Sequence, residues 1–240
     1  MSKLKVPSLQ HLARIWHPDP ARITRTLVGL TKHGPTFSYA PLYDAVRDLL
    51  RLHVPYEQVL EGIVRGTGRK DVRERFLSVM PLIRQHFDGI SPAFVQDVTR
   101  RLYPIGRGLA IPFDPPLIYG LNGEIHFPWF SFWRNNPLAA ERLSLFVTIV
   151  DDVLSQDPDL EDSRFVILDF SAPSPKQPRE LSVVEAKLIP RLSDARKSDM
   201  LSVFAEGYSG AVAEIREASV VDKGSAVDKG GDLNQLGLFD

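Results

Sequence analysis

Cysteine is absent from the 240-residue chain, and so is any run of eighteen apolar residues. The first absence excludes disulfide bonds and thiolate metal sites, and the second excludes a transmembrane helix. The amino-terminal residues also lack the apolar segment and cleavage site of a secretory signal, which predicts a cytoplasmic protein without membrane contact. Hydrophobic residues make up 43% and charged residues 25% of the sequence, which indicates an ordinary globular protein.

Net charge is almost absent as well, at −1, but the two halves of the chain carry opposite charge. Residues 1–107 contain 17 Lys/Arg and 9 Asp/Glu, a net charge of +8, whereas residues 108–240 contain 12 and 21, a net charge of −9. A surface with uncompensated guanidinium groups attracts phosphate backbones. The basic half therefore predicts contact with DNA, and the alternative is that the two halves pack together and neutralise one another.

The first half of the chain follows helical spacing interrupted by proline. Residues 1–107 are predicted to form an all-helical, basic domain. Its last helix is expected to begin at Ser91 and to bury Val95 and Leu102, and an earlier helix is expected to bend at Pro81 because proline removes a backbone hydrogen bond.

The second half is predicted to combine strands and helices. Within residues 108–218, Asn122-Gly123 predicts a β-hairpin, and two strands are expected over residues 164–171 and 180–189. Two helices with apolar stripes are expected to cover this sheet. The predicted fold class is α+β: an N-terminal all-helical domain, then a small mixed or antiparallel sheet covered by two helices, and a disordered C-terminal tail.

The tail comprises residues 219–240. It contains VDKG twice and is rich in glycine and charge, which predicts a flexible linker. The linker is followed by the apolar residues of QLGLF, which have no reason to remain in water unless they dock on another protein or on the chain's own sheet.

The segment QLGLF matches the pattern Gln-Leu-x-Leu-Phe and resembles the bacterial sliding-clamp-binding pentapeptide. The resemblance implies that Gln235 hydrogen-bonds at the edge of the clamp pocket and Leu236 supports it, while Leu238 and Phe239 fill the apolar cleft. Gly237 departs from the usual Ser or Asp, and its backbone freedom is expected to weaken binding. The implied partner is the sliding clamp, and the implied context is bacterial DNA replication or repair.

Basic residues near Gly66-Thr67-Gly68 and at the end of the basic half are the candidates for DNA contact. A glycine loop that enters a helix offers backbone amides to phosphate. The alternative is a solvated surface, because the GxxxxGK[ST] spacing is absent. The candidate nucleic-acid-binding residues are Arg65, Arg69, Lys70, Arg73, Arg100 and Arg101.

One arrangement in the second half has the residue types of a nuclease. If the turn between the last two strands centres near residue 178, Asp169 lies opposite Lys187, and Glu185 shares their face. This arrangement partly resembles the PD-(D/E)xK nucleases, which implies that Asp169 and Glu185 hold Mg²⁺ while Lys187 stabilises developing charge. No Pro-Asp pair immediately precedes the strand that carries Asp169, and the alternative is a surface ion pair between Asp169 and Lys187.

Further residue types bear on function less directly. The six histidines have no metal-ligand spacing, so no metal site is assigned. The aromatic residues of 127–133 suit either nucleobase stacking or burial between layers. The leading hypothesis is a non-enzymatic DNA-transaction accessory protein recruited to the clamp, with no cofactor. The alternatives are a clamp-tethered nuclease, with Mg²⁺ as its cofactor, and an interaction module whose acidic half binds a protein.

Overall fold

The computed structural model describes residues 4–33, 37–136 and 138–227. Six helices come first and five strands follow. One helix, two strands and a last long helix complete the described part of the fold. The helices are α1 Leu9–Ile15, α2 Pro20–His33, α3 Ala40–Arg51, α4 Tyr56–Gly66, α5 Lys70–Leu77, α6 Met80–Phe87, α7 Glu141–Leu154 and α8 Asp194–Val227. The strands are β1 Phe94–Gln96, β2 Arg101–Gly106, β3 Leu109–Phe113, β4 Ile118–Leu121, β5 Glu124–Ser131, β6 Arg164–Asp169 and β7 Ser182–Glu185.

The main sheet has five strands in the order β1-β4-β5-β6-β7, and β2 and β3 form a separate hairpin. Within the main sheet only β5 and β6 run parallel, and α7 connects them. The other neighbouring pairs are antiparallel. The predicted α+β class, with a mixed sheet, is therefore confirmed.

The predicted hairpin at Asn122-Gly123 is also confirmed. Leu121 pairs with Glu124 across the two-residue turn between β4 and β5. Asn122 and Gly123 both have positive φ, at 53° and 82°. This is the backbone that a two-residue hairpin requires, and asparagine and glycine adopt it at the lowest cost.

Helices cover both faces of the sheet, and side chains that alternate along β5 enter two separate cores. Phe127 and Trp129 join a core built with α1, α2, α7 and α8. Phe130 and Phe132 join a second core built with α3 to α6. Each core contains residues from both sides of position 107. The segments before and after the predicted boundary therefore contribute to the same two cores.

The last helix crosses α2 at very close range. A Cβ atom at Gly207 would lie 2.6 Å from Cβ of Ile23, so only glycine allows this approach. Thr24 donates a hydrogen bond to the carbonyl oxygen of Gly207 at 2.9 Å, and the indole of Trp16 donates one to that of Met200 at 2.9 Å. These contacts hold α1 and α2 against α8 and position the site described below.

Two local expectations for the first half need correction. The segment after Ser91 forms strands instead of a helix, because Phe94–Gln96 pairs with β4, and Arg101–Gly106 pairs with β3. The helix expected to bend at Pro81 is two helices, α5 and α6. Pro81 lies in the first turn of α6, where its missing N–H removes no helical hydrogen bond.

The carboxyl-terminal part differs in extent from the expectation. Helix α8 continues to Val227, beyond the predicted start of the linker at residue 219. The residues of the clamp-binding motif, Gln235 to Phe239, lie outside the described part of the chain. No helix in the described part combines the length and apolar composition needed to cross a bilayer.

Candidate functional site

A cleft of about 1060 Å³ opens between α1, α2, the segment leading into α3 and the end of β5. The first turn of α7 closes one side of it through Arg142. Residues from six segments far apart in the sequence meet here because both cores hold their helices against the same end of β5. The cleft is thus formed by the tertiary fold and by no local motif.

Positive charge dominates the lining of this cleft. Four arginines line it, whereas Asp114 is the only carboxylate among its described lining residues. The arginines are Arg14, Arg22, Arg25 and Arg142. Guanidinium groups stay protonated at every physiological pH, so the cleft carries an excess of fixed positive charge.

Three of these arginines, called the cleft arginines below, have no carboxylate partner among the described residues. The guanidinium of Arg14 lies 4.6 Å from the ring centre of Trp133, and Nη1 of Arg22 lies 2.8 Å from Nε2 of His17. The Arg142 side chain has neither a hydrogen bond nor an ion pair with any described residue. Arg25, by contrast, pairs with a carboxylate of Asp19 at 3.9 Å. An anion entering the cleft would therefore meet uncompensated charge.

Aromatic rings form the inner wall of the cleft. The ring centres of Tyr43 and Phe132 are 5.2 Å apart, those of Tyr39 and Phe132 are 5.6 Å apart, and those of Phe37 and Tyr39 are 5.2 Å apart. Burial raises the pKa of Tyr43 to about 12, so its hydroxyl is a neutral hydrogen-bond donor at pH 7. The cleft thus joins a charged rim to a ring-lined interior.

His11 lies beside this wall and adds no positive charge. Its ring centre is 5.4 Å from that of Trp133, and its Nδ1 is 3.0 Å from the Ser8 hydroxyl oxygen. Burial, together with the charge of Arg14, lowers the pKa of His11. A histidine whose pKa lies below its usual value of about 6.5 is neutral at pH 7.

The candidate DNA-binding residues of α4 and α5 lie elsewhere and are paired with carboxylates. Arg65 pairs with Glu61 at 2.9 Å, Arg69 pairs with Asp71 at 2.7 Å, and Lys70 lies 3.9 Å from Glu74. We call Arg65, Arg69 and Lys70 the α4–α5 cations. Each lies beside an acid on its own or the following helical segment, which lowers the net charge that this surface presents to an anion.

The three other candidate residues also lie outside the cleft. Arg73 donates a hydrogen bond to the carbonyl oxygen of Thr67 at 3.3 Å. Arg100 is exposed, and Arg101 forms a half-buried ion pair with Asp157. None of the six basic residues predicted from the sequence to contact DNA therefore lines the cleft.

The predicted nuclease residues do not come together. Asp169 pairs with Ser182, and Glu185 pairs with Val166, so the expected pairing of Asp169 with Lys187 is wrong. Lys187 lies in the short 3-10 helix Ala186–Leu188 after β7. Because Asp169 is three positions from Val166, alternation along β6 directs Asp169 and Glu185 to opposite faces of the sheet.

The contacts of Asp169 and Glu185 give each carboxylate a structural role that involves no catalysis. Asp169 is buried and accepts hydrogen bonds from the backbone N–H of Ser171 at 3.2 Å and from its hydroxyl at 3.0 Å, which fixes the turn after β6. Burial raises the pKa of Asp169. Glu185 forms an ion pair with Arg164, which lowers the pKa of Glu185. Within the described ranges, no group of three or more metal-ligating side chains could hold a metal ion.

Comparison with known proteins identifies no relative: no protein-family model, curated protein or solved structure matches the chain.

Proposed function

We propose that this chain is a nucleic-acid-binding accessory protein that the bacterial sliding clamp recruits through Gln235, Leu236, Leu238 and Phe239. In this proposal the cleft is the nucleic-acid contact. The cleft thereby replaces the surface formed by α4 and α5, which the sequence indicated, as the proposed binding site. Binding to the clamp brings the protein close to DNA, and the cleft then contacts the nucleic acid.

The observation that carries the proposal is the combination of unpaired cations and rings in one concave surface. Proteins that bind single-stranded nucleic acid combine a positively charged groove for phosphates with aromatic side chains for bases. The cleft has both, in the three cleft arginines and in the rings of Tyr39, Tyr43 and Trp133. Each of the α4–α5 cations, by contrast, has a carboxylate close by.

The nuclease alternative has little support. Asp169 is occupied in a turn and Glu185 in an ion pair, and the two are directed to opposite faces of the sheet. A Mg²⁺ site would require both carboxylates to converge on one ion. The proposed role is therefore binding and recruitment, without catalysis.

Two triple variants that remove equal charge test the proposal. One replaces the three cleft arginines with glutamine, and the other replaces the three α4–α5 cations with glutamine. We expect the first to weaken binding of a fluorescent oligonucleotide by at least about tenfold, because three charge-assisted contacts to phosphate are lost. The second should change affinity by less than about twofold. Fluorescence anisotropy at low salt measures both.

The salt dependence of binding adds a second measure of the same variants. Each lost contact to a single strand reduces the slope of log affinity against log salt by about 0.7, so the cleft variant should lose about 2 in slope. Both variants change the net charge equally, which controls for long-range attraction. Equal losses in the two variants, or a larger loss in the α4–α5 variant, would contradict the assignment of the cleft.

A further inference from the structure

Gln10 lies in the wall of the cleft with an unsatisfied amide group. Its side chain is only 8% exposed, and its Nε2 atom is buried without a hydrogen-bond partner among the described residues. Leaving a buried donor unpaired is costly, so native proteins rarely do so without a reason. Gln10 is one of the residues that line the cleft, so a polar group that enters the cleft is the candidate partner for this amide.

Tyr43 supplies a second donor in the same cleft. Its half-buried ring packs against Phe130 and Phe132, with ring centres 6.0 Å and 5.2 Å away. Its hydroxyl makes no hydrogen bond to any residue in the described part of the chain. No described residue occupies this hydroxyl, so it can bond a group that enters the cleft. The cleft therefore offers two neutral polar groups, of Gln10 and Tyr43, close to its aromatic rings and arginines.

We infer that the cleft receives the unstacked base of a single-stranded nucleic acid, an inference that rests on the nucleic-acid function proposed above. The base lies against the rings of the inner wall, and its acceptor atoms receive hydrogen bonds from Gln10 and Tyr43. The cleft arginines contact the phosphates on either side. One nucleotide would thus contact the aromatic rings, the two neutral donors and the arginines of the cleft at the same time.

A double-stranded ligand would satisfy fewer of these groups. In a duplex the base faces are stacked on one another and the pairing edges are occupied, so the donors and rings in the cleft interior would remain unpaired. Only the phosphates of a duplex could reach the arginines at the rim. The volume of about 1060 Å³ is at the upper end of the range for small-molecule pockets, which suits one or two nucleotides.

The test uses the full chain and three fluorescent probes of equal length: a mixed-sequence single-stranded DNA, the same strand in a duplex, and a strand of abasic sites. The variants are Gln10→Leu and Tyr43→Phe, each with a matched control outside the cleft, Gln85→Leu and Tyr56→Phe. Tyr43→Phe removes one oxygen atom and keeps the ring, so it preserves the packing of the wall. Affinities are measured by anisotropy at one salt concentration.

We expect the single strand to bind at least about tenfold more tightly than the duplex or the abasic strand. Gln10→Leu and Tyr43→Phe should each weaken single-strand binding about fivefold, as for one lost hydrogen bond, and leave abasic binding unchanged. The controls should remain within twofold of the wild type. Because the abasic strand keeps the sugar-phosphate backbone and lacks the bases, loss of binding to it identifies a base in the cleft.

Two other results would overturn the inference in different ways. If the cleft-arginine variant loses binding while the duplex binds as tightly as the single strand and Tyr43→Phe has no effect, the ligand is held by its phosphates alone. The proposed function would then stand without a base in the cleft. If the wild type binds none of the three probes, the proposed function and this inference both fail.

Discussion

Replacing Arg179 with methionine is expected to lower the free energy of unfolding by about 3–5 kcal/mol. The Nη1 atom of this buried arginine donates hydrogen bonds to the carbonyl oxygens of Phe132, Trp133 and Phe170, at 3.0, 3.1 and 2.8 Å. These carbonyls lie just beyond the ends of the parallel strands β5 and β6. Methionine fills much of the space but leaves all three acceptors without a donor, which is the cause of the loss.

Arg134→Met is the matched control for this variant. Arg134 also donates to two backbone carbonyls, those of Pro175 and Gln177 at 2.8 and 2.9 Å, but it is exposed, so water can replace the lost donor. Its loss should cost less than about 1 kcal/mol. Thermal unfolding followed by circular dichroism should show a midpoint at least about 6 °C lower for Arg179→Met. Equal midpoints for the two variants would disprove the role assigned to Arg179.

The double variant Leu238→Ala, Phe239→Ala is expected to reduce the affinity of the full chain for a purified bacterial sliding clamp by about 100-fold or more. Burial of a leucine or phenylalanine side chain contributes about 1.5–3 kcal/mol, and the clamp pentapeptide pattern assigns both residues to the apolar pocket. Surface plasmon resonance with immobilised clamp measures the loss.

The control for the tail is Leu233→Ala, which removes an apolar side chain two residues before Gln235 and outside the pattern. It should bind the clamp within about twofold of the wild type. If Leu233→Ala weakens binding as much as the double variant, the contact depends on general hydrophobicity and the motif assignment is wrong. If the wild type itself does not bind, recruitment through this segment is refuted.

The sequence predicted best the elements that depend on neighbouring residues. Asn122-Gly123 encodes its hairpin because the positive φ values of the turn are intrinsic to those two residue types. Helix α7 is one of the two helices predicted from apolar spacing, which is likewise a property of residues close together in the sequence. The strand Phe94–Gln96 was missed because it depends on pairing with β4, and the ring of Phe94 fits over Gly120, where a Cβ would lie 2.3 Å from it.

The register of β6 and β7 could not be predicted because their connection is not a simple turn. Residues 170–181 include the turn held by Asp169 and Ser171 and the segment anchored by Arg179. These contacts displace the pairing by several residues from the symmetric hairpin that the sequence suggested, so Asp169 meets Ser182. The predicted juxtaposition of Asp169 and Lys187 depended on that register and was therefore wrong.

The cleft could not be predicted from the sequence, because it depends on which charges are paired and which helices pack together. Counting charge by halves gave equal weight to Arg65, which pairs with Glu61, and to Arg142, which has no ion pair with a described residue. Arg14 and Arg142 meet only because α1 and α7 pack on the same face of the sheet. The one available signal was the aromatic run over residues 127–133. Most of its rings are buried, as one of the two interpretations predicted, and four of them, including the half-buried Trp133, also line the cleft.

Photo-crosslinking tests most directly whether the cleft is the nucleic-acid site. The full chain is irradiated with a single-stranded oligonucleotide containing 5-bromouracil, and the crosslinked residues are identified by mass spectrometry after digestion. We expect crosslinks at Trp133, Tyr39 or Tyr43, and their loss in the cleft-arginine variant. Crosslinks confined to residues 65–73 or 100–101, with none in the cleft, would show that the nucleic acid binds elsewhere.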